Sequence, residues 1–424
     1  MSKLPPMLSR RLVEGRSRRV AAPAATPPIA TQAPIAAKRG IRPASQDQAP
    51  RHVFEVDAWT DRLGGLAQRY RNQLVRLGNL ETRLFAAEIA ERSVDRPIYI
   101  AGLARAGTTI LLEALERHPD TATHRYRDFP LVLTPLLWNR LLDRLPRRPA
   151  VPAERAHRDG IRVTAESPEA FEEAVWMAFF PALHALPAED FLDARAANPE
   201  FERFYREHIR KLLWLRGGAR YLSKANYNVT RFEYLLRLFP DARIVIPVRD
   251  PVWHIASLMK QHRLFCAGQH EDSRALRHLQ RAGHFEFGLD RRPISAGDPR
   301  MALLIAGLWR DGREVEAWAR YWNHVYGFAL RRLAESQALR DAALVVRSED
   351  LCRWPQQTID RILDHCRLPA SAGFIDELAA RFKAPTYYTP GFSAAELKLI
   401  GECTAETACR FGYLDTLDRW RAAS

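Results

Sequence analysis

The stretch RPIYIAGLARAGTTILLEALERHPD, residues 96–120, decides the fold. Its opening, residues 96–102, is a short β-branched and aromatic run that ends in glycine, the pattern of a buried strand. Its close, from Thr108 onward, has helical character and stops before Pro119. Between the two, Gly102, four residues, Gly107, Thr108 and Thr109 have the outline of a phosphate loop in the strand–loop–helix setting such a loop requires. The two glycines allow backbone conformations closed to other residues, so successive N–H groups can converge on one anion. The following helix adds its positive end, and Arg105 adds a charge from within the loop. The lysine that reaches a nucleotide's terminal phosphates is missing, and Thr108 stands in its place. With no clear metal-holding aspartate at the end of a later strand, metal-assisted ATP chemistry is poorly supported and no metal is implied.

Working outward, the same alternation continues. The pattern predicts a helix over 201–218, a strand over 219–225, a helix over 228–240 and a strand over 242–250. A helix over 251–265 follows, with Asp250 as its N-cap and Pro251 in its first position. A long amphipathic helix covers about 311–337, then a strand 342–347 and a helix 355–367. Strands alternating with helices predict an α/β protein with a parallel sheet flanked by helices. Residues 51–95 read as a helical N-terminal extension interrupted at Gly64-Gly65 and Gly78. Residues 125–200 and 266–310 are less regular. The first of these carries Arg140, Arg144, Arg147, Arg148, Arg155 and Arg158, which read either as a solvated face or as a lid over an acidic or polyhydroxyl substrate.

Composition narrows the class. The chain has 424 residues, 47% of them hydrophobic, and a net charge of +14. Residues 1–50 hold nine Lys/Arg against two Asp/Glu, with eight prolines and ten alanines, and read as a disordered basic arm. Such an arm suits a solvated tail, a tether to anionic membrane, or a transit peptide. Nucleic acid is not expected as a partner, because no basic stripe with interleaved aromatics continues into the domain. No apolar core of a signal peptide follows the basic start, and the longest apolar runs fall far short of the roughly 20 residues of a membrane span. Five scattered cysteines without a CxxC pair point to a reducing, cytoplasmic setting.

A second anion site is expected at the end of the 242–250 strand. Arg249 closes that strand, and Ser257 lies in the second turn of the next helix. An arginine fork with a hydroxyl beside it can grip a phosphate. Ligands of open parallel sheets bind at the strand C-terminal ends, so both anion sites fall on one edge. A ligand with two separated phosphates satisfies both.

The combination resembles the sulfotransferases that use 3′-phosphoadenosine 5′-phosphosulfate, in the branch with bacterial carbohydrate and tyrosylprotein enzymes. GLARAGTTIL resembles the family's 5′-phosphosulfate loop, GxPRSGTTxL. YLSKANYNVTRFEYLLRLFPDARIVIPVRDPVWHIASLMK resembles its lysine-bearing strand and RDPxxxxxxS segment, and VVRSEDLCRWPQQTIDRILDHCRLP its later RYEDL segment. The resemblance covers roughly 96–125 and 219–369. It implies a P-loop nucleoside-triphosphate-hydrolase-like sulfotransferase fold with helical insertions, over residues 96–424. It implies that Arg105, Ala106, Gly107, Thr108 and Thr109 hold the 5′-phosphosulfate and Arg249 and Ser257 the 3′-phosphate. Lys224 stabilises the leaving oxygen, alongside Arg105, and Arg347 is structural or at the cofactor's rim. The acceptor's proton needs a base; Asp128 is the first candidate, His124 the second and Glu166 a further one. Ala104 and Ala106 depart from the usual proline and serine, and Ile110 stands where some members place an aromatic, which leaves the adenine contacts unassigned. Residues 380–388 are the expected C-terminal cofactor segment. The implied reaction is sulfuryl transfer to a hydroxyl of a carbohydrate, glycolipid or similar acceptor, with peripheral membrane contact through the arm. The alternatives are a nucleotide-dependent phosphotransferase on the same loop and a non-catalytic nucleotide- or glycan-binding module.

Overall fold

Residues 98–100 are wholly buried, as a strand at the centre of a sheet must be. In the computed structural model, which describes residues 56–146, 151–187, 190–383 and 389–413, they form β1 (Ile98–Ile100). The other strands of the main sheet are β2 (Thr121–Ala122), β5 (Arg220–Lys224), β6 (Arg243–Val248) and β7 (Ala343–Arg347); β3 (Ala153–Glu154) and β4 (Arg162–Val163) form a separate antiparallel hairpin. The main sheet runs β2-β5-β1-β6-β7, all parallel, with Ile100 opposite Lys224 on one side and Val245 on the other. The expected α/β class and parallel sheet are therefore observed.

The register explains how a proline sits inside β6. Ala101 donates its N–H to the Val245 carbonyl at 2.9 Å, after which β1 leaves the sheet. Strand geometry turns the Pro247 nitrogen toward that vacated side, where no ladder bond is lost. The Pro247 carbonyl accepts from Tyr326 Oη at 3.0 Å.

The helices depart from expectation in instructive places. Gly64 and Gly78 do not interrupt the N-terminal extension; they lie inside helices Ala58–Arg69 and Arg71–Leu84. A Cβ on Gly78 would come within 2.5 Å of the Leu133 carbonyl and 2.9 Å of the Phe204 ring. Close packing, not chain reversal, is why glycine stands there. The segment expected as one helix over 228–240 is a 3₁₀ turn, Asn226–Thr230, followed by a short helix, Phe232–Leu238. The next helix, Pro251–Glu271, is capped as expected: Asp250 accepts from Val252 and Trp253 N–H at 2.9 and 3.1 Å. The long helix is Glu314–Glu335. Two helices unrecognised from the pattern, Ser273–Ala282 and Pro299–Arg310, fill the irregular 266–310 region. Residues 1–50, Arg147 and Arg148, and most of 380–388 lie outside the described residues.

Candidate active site

The loop between β1 and helix Thr108–Glu116 has the geometry an anion cradle needs. Arg105 has φ +71° and Gly107 φ +89°, both in the left-handed region. An arginine there stores strain, which the fold tolerates where a loop must turn its N–H groups inward. Gly102 has no room for a side chain, since a Cβ would meet the Pro247 carbonyl at 2.9 Å. Two side chains from distant elements pin the loop. His254 Nε2 donates to the Ala104 carbonyl at 2.8 Å while its Nδ1 accepts from Trp322 Nε1 at 3.1 Å. Burial pushes the His254 pKa down to about 3, so the ring stays neutral and keeps that tautomer. Ser348 Oγ donates to the Ala106 carbonyl at 2.6 Å. Both anchors were missed in the sequence, because nothing local links position 254 or 348 to position 104 or 106.

Arg105 is the junction of the site. Its Nε lies 3.4 Å from Ser257 Oγ, and Arg249 Nη1 donates to its carbonyl at 3.3 Å. The structure thus brings together Arg105, Arg249 and Ser257. The Arg105 guanidinium also holds a carboxylate: Asp159 lies 2.6 Å away, and Arg155 grips the same carboxylate at 2.5 and 2.9 Å. Burial raises the Asp159 pKa, but the bonds and charges of Arg155 and Arg105 outweigh it and hold the group well below the usual range. Arg155 is therefore neither a solvated surface charge nor a free lid residue. Arg140, by contrast, is exposed and stacks over the Phe85 ring at 4.0 Å.

A cavity of about 470 Å³ opens at this edge of the sheet. Arg105, Thr108, Thr109 and Lys224 line it from the sheet edge, Arg155 and His157 from the β3–β4 hairpin, and Glu169, His284 and Glu286 complete the lining. Arg249 and Ser257 touch Arg105 but are not part of that lining. Burial lowers the Lys224 pKa, with the carboxylates of Glu286 and Glu169 opposing. His284 Nδ1 lies 3.7 Å from Glu286 Oε2, and Asn226 Nδ2 donates to the other oxygen of the same carboxylate. Burial works against charging His284, yet Glu286 and then Glu169 raise its pKa.

The expected bases sit elsewhere. Asp128 and His124 do not line the cavity. Asp128 is fully buried and accepts from Arg216 Nη2 at 2.5 Å, Asn139 Nδ2 at 2.9 Å and the Arg125 N–H at 2.8 Å. The His124 ring stacks on His208, with the two Nε2 atoms 3.2 Å apart. Glu166 is half exposed and pairs with Arg125 and Arg127. Arg347 pairs with Asp350 at 2.9 Å. The residues that do face the cavity, His284 and Glu286, come from a region where the sequence offered no pattern.

Residues 97–291 match the family model described as Sulfotransferase family. That match spans the phosphate loop, the Lys224 strand and the Arg249–Ser257 segment, so the protein carries a sulfotransferase-family domain over these residues. It is an enzyme of the transferase class, acting on a hydroxyl-bearing acceptor with a sulfate donor. Similar solved structures include a sulfotransferase from Mycobacterium avium (15% identity, 78% of this chain and 81% of that chain, TM-score 0.44). Another is a sulfotransferase from Mycobacterium tuberculosis H37Rv (16%, 81% and 86%, TM-score 0.43). A third is from Alicyclobacillus acidocaldarius (15%, 77% and 100%, TM-score 0.36). No protein of curated function matches the chain.

Proposed function

We propose that this sulfotransferase uses 3′-phosphoadenosine 5′-phosphosulfate and transfers its sulfuryl group in line to a hydroxyl of a carbohydrate, glycolipid or similar acceptor. The observation that carries this reading is the position of Arg105. It lines the cavity shared by Thr108, Thr109 and Lys224 and also contacts Ser257 and Arg249. The Asp159 carboxylate on Arg105 speaks for the fit, because the loop's arginine already accommodates an anion.

The donor supplies a sulfuryl group attached to a phosphate leaving group. Arg105, the backbone of Ala106 and Gly107, and the hydroxyls of Thr108 and Thr109 hold its 5′ end, and Arg249 and Ser257 hold its 3′-phosphate. Lys224 stabilises the charge that develops on the departing oxygen. His284 takes the acceptor's proton, and Glu286 is its positioning residue, holding Nδ1 so that Nε2 is the accepting atom. As the acceptor oxygen bonds to sulfur, its proton passes to His284, and the broken S–O bond leaves its electron pair on the phosphate. Carboxylates, histidines and the Phe171, Phe265 and Phe287 rings of the cavity suit a ring-shaped polyhydroxyl acceptor. The five unpaired cysteines fit action in the cytoplasm, and the basic arm suits contact with anionic membrane.

The test is thermal unfolding with 3′,5′-bisphosphoadenosine against ADP and ATP with magnesium. At about 100 times its dissociation constant a ligand stabilises by about 2.7 kcal/mol. A shift with the bisphosphate that is lost in Arg249→Ala is expected. A shift confined to ATP with magnesium would sink the reading.

A further inference from the structure

The N-terminal helices carry a second surface, independent of the reaction. Helices Ala58–Arg69 and Arg71–Leu84 run nearly end to end. The i→i−4 bonds from Tyr70 N–H to the Leu66 carbonyl and from Leu74 N–H to the Tyr70 carbonyl, both 2.9 Å, carry the ladder through the junction. One face is committed to the body of the protein. Gly78 has no room for a side chain, and Glu81 is fully buried against Lys211 Nζ at 2.9 Å. The other face presents Trp59, Leu66, Tyr70, Leu77, Leu80 and Leu84 to solvent, with Trp59 70% and Leu84 60% exposed. These are six of the thirteen large exposed apolar side chains among the described residues, gathered within 26 residues. Scattered exposed leucines need no explanation, but an aligned ridge does.

The ridge is ordered in sevens. Leu63, Tyr70, Leu77 and Leu84 form one row, and Trp59, Leu66 and Leu80 another, with Gln73 in the vacant step. Directly before the first row stands Arg62, Arg69, Arg76 and Arg83, all exposed. The two acids within these helices offer this face no counter-charge: Asp61 is taken by Arg277 and Arg281 at 2.7 Å each, and Glu81 is buried.

A seven-residue apolar repeat also suits a coiled coil with a second copy. The charges argue against it. In an antiparallel pair the arginine rows face one another. In a parallel pair they face Thr60, Ala67, Leu74 and the buried Glu81, none of which offers a free carboxylate. An anionic lipid surface accepts both features. Leucines enter the headgroup boundary, Trp59 and Tyr70 suit that depth, and flanking arginines meet the phosphates. The sequence that precedes the helices adds +7 over residues 1–50. No helix among the described residues is long and apolar enough to cross a membrane, so contact through this face is peripheral.

We infer that the outward face of residues 58–84 docks the protein onto an anionic bilayer surface. The test is flotation of the full chain with phosphatidylcholine vesicles containing phosphatidylglycerol, against phosphatidylcholine alone. Binding to the anionic vesicles is expected, weakened about 5-fold for each of Arg62, Arg69, Arg76 and Arg83 replaced by Gln. It is expected to vanish in the Leu66→Gln/Leu77→Gln/Leu84→Gln chain. All these side chains are exposed, and an unchanged unfolding midpoint verifies that the variants fold. Flotation of the triple variant equal to that of the parent would overturn the inference and assign binding to the arm. Absence of flotation in the parent would overturn it as well. So would a concentration-dependent dimer in sedimentation that the triple variant loses, since the ridge would then serve a second copy. Response to 3′,5′-bisphosphoadenosine is unaffected by any of these outcomes.

Discussion

Two of the molecule's pairings of a histidine with a carboxylate, His124 with Asp128 and His284 with Glu286, have opposite fates. His124 Nδ1 lies 3.5 Å from Asp128, and His284 Nδ1 lies 3.7 Å from Glu286. The distances are nearly equal, and the carboxylate of each pair is held below its ordinary pKa. For Asp128, burial opposes the shift, while His124 and Arg216 drive it. For Glu286, burial again opposes, while His284 and Lys224 drive it. What separates the pairs is access. Asp128 spends its oxygens on Arg216, Asn139 and a backbone N–H, and His124 faces another histidine. The His284–Glu286 pair lines a cavity with Lys224 and Arg105. A base needs a substrate to reach it, so a perturbed titration alone does not identify one.

The largest test of this contrast is Asp128→Ala. Removing the carboxylate leaves Arg216 buried without its partner, which costs about 3–5 kcal/mol. A lower denaturant midpoint is expected, with turnover per folded molecule retained. Because the Asp128 pKa lies below its unfolded value near 3.9, its contribution is present above that pH and is lost as pH falls further. Full stability without Asp128 would break the comparison from the structural side.

Next in size is His284→Asn, expected to lower turnover by about 100-fold while the thermal shift with 3′,5′-bisphosphoadenosine persists. His124→Asn is expected to leave turnover per folded molecule unchanged. With no acceptor in hand, release of inorganic sulfate from labelled donor, with water as acceptor, reads both variants. Loss in His124→Asn and survival in His284→Asn would reverse the assignment.

A finer test uses pH. The groups facing His284 are Glu286 on its own segment, Glu169, Lys224 and His278. Glu286 raises the His284 pKa, so Glu286→Gln lowers it. The rising acid limb of the turnover profile is expected to move to lower pH, with a reduced plateau. A purely structural Glu286 would change the plateau and leave the limb in place.

The smallest expected effect is at Asp159, which holds the Arg105 guanidinium proposed above to bind the donor. Asp159→Asn removes a competing anion, and 3′,5′-bisphosphoadenosine is expected to bind about 5-fold tighter by calorimetry, about 1 kcal/mol. Weaker binding would mean that Asp159 orients Arg105 for the ligand.

Much of this was legible in the chain itself. The phosphate loop, the parallel alternation and the Asp250 cap depend on neighbours within a few residues, where spacing and residue type carry the information. Lys224 could be placed for the same reason, at the end of a strand that the 219–225 run announces. Gly78 shows the limit: its sequence context reads as a break, and only the Leu133 carbonyl at its side explains it. His254 and Ser348 hold the loop from positions 150 and 242 residues away from their partners. Asp128 and Glu286 carry the same functional group, and no local pattern told which one would be enclosed. The sequence by itself determined the fold class, the strand–loop–helix around Gly102–Gly107 and the Asp250 cap, because these rest on short-range backbone chemistry. Tertiary structure decided which histidine and which carboxylate face the cavity, because exposure is set by segments that meet only after folding.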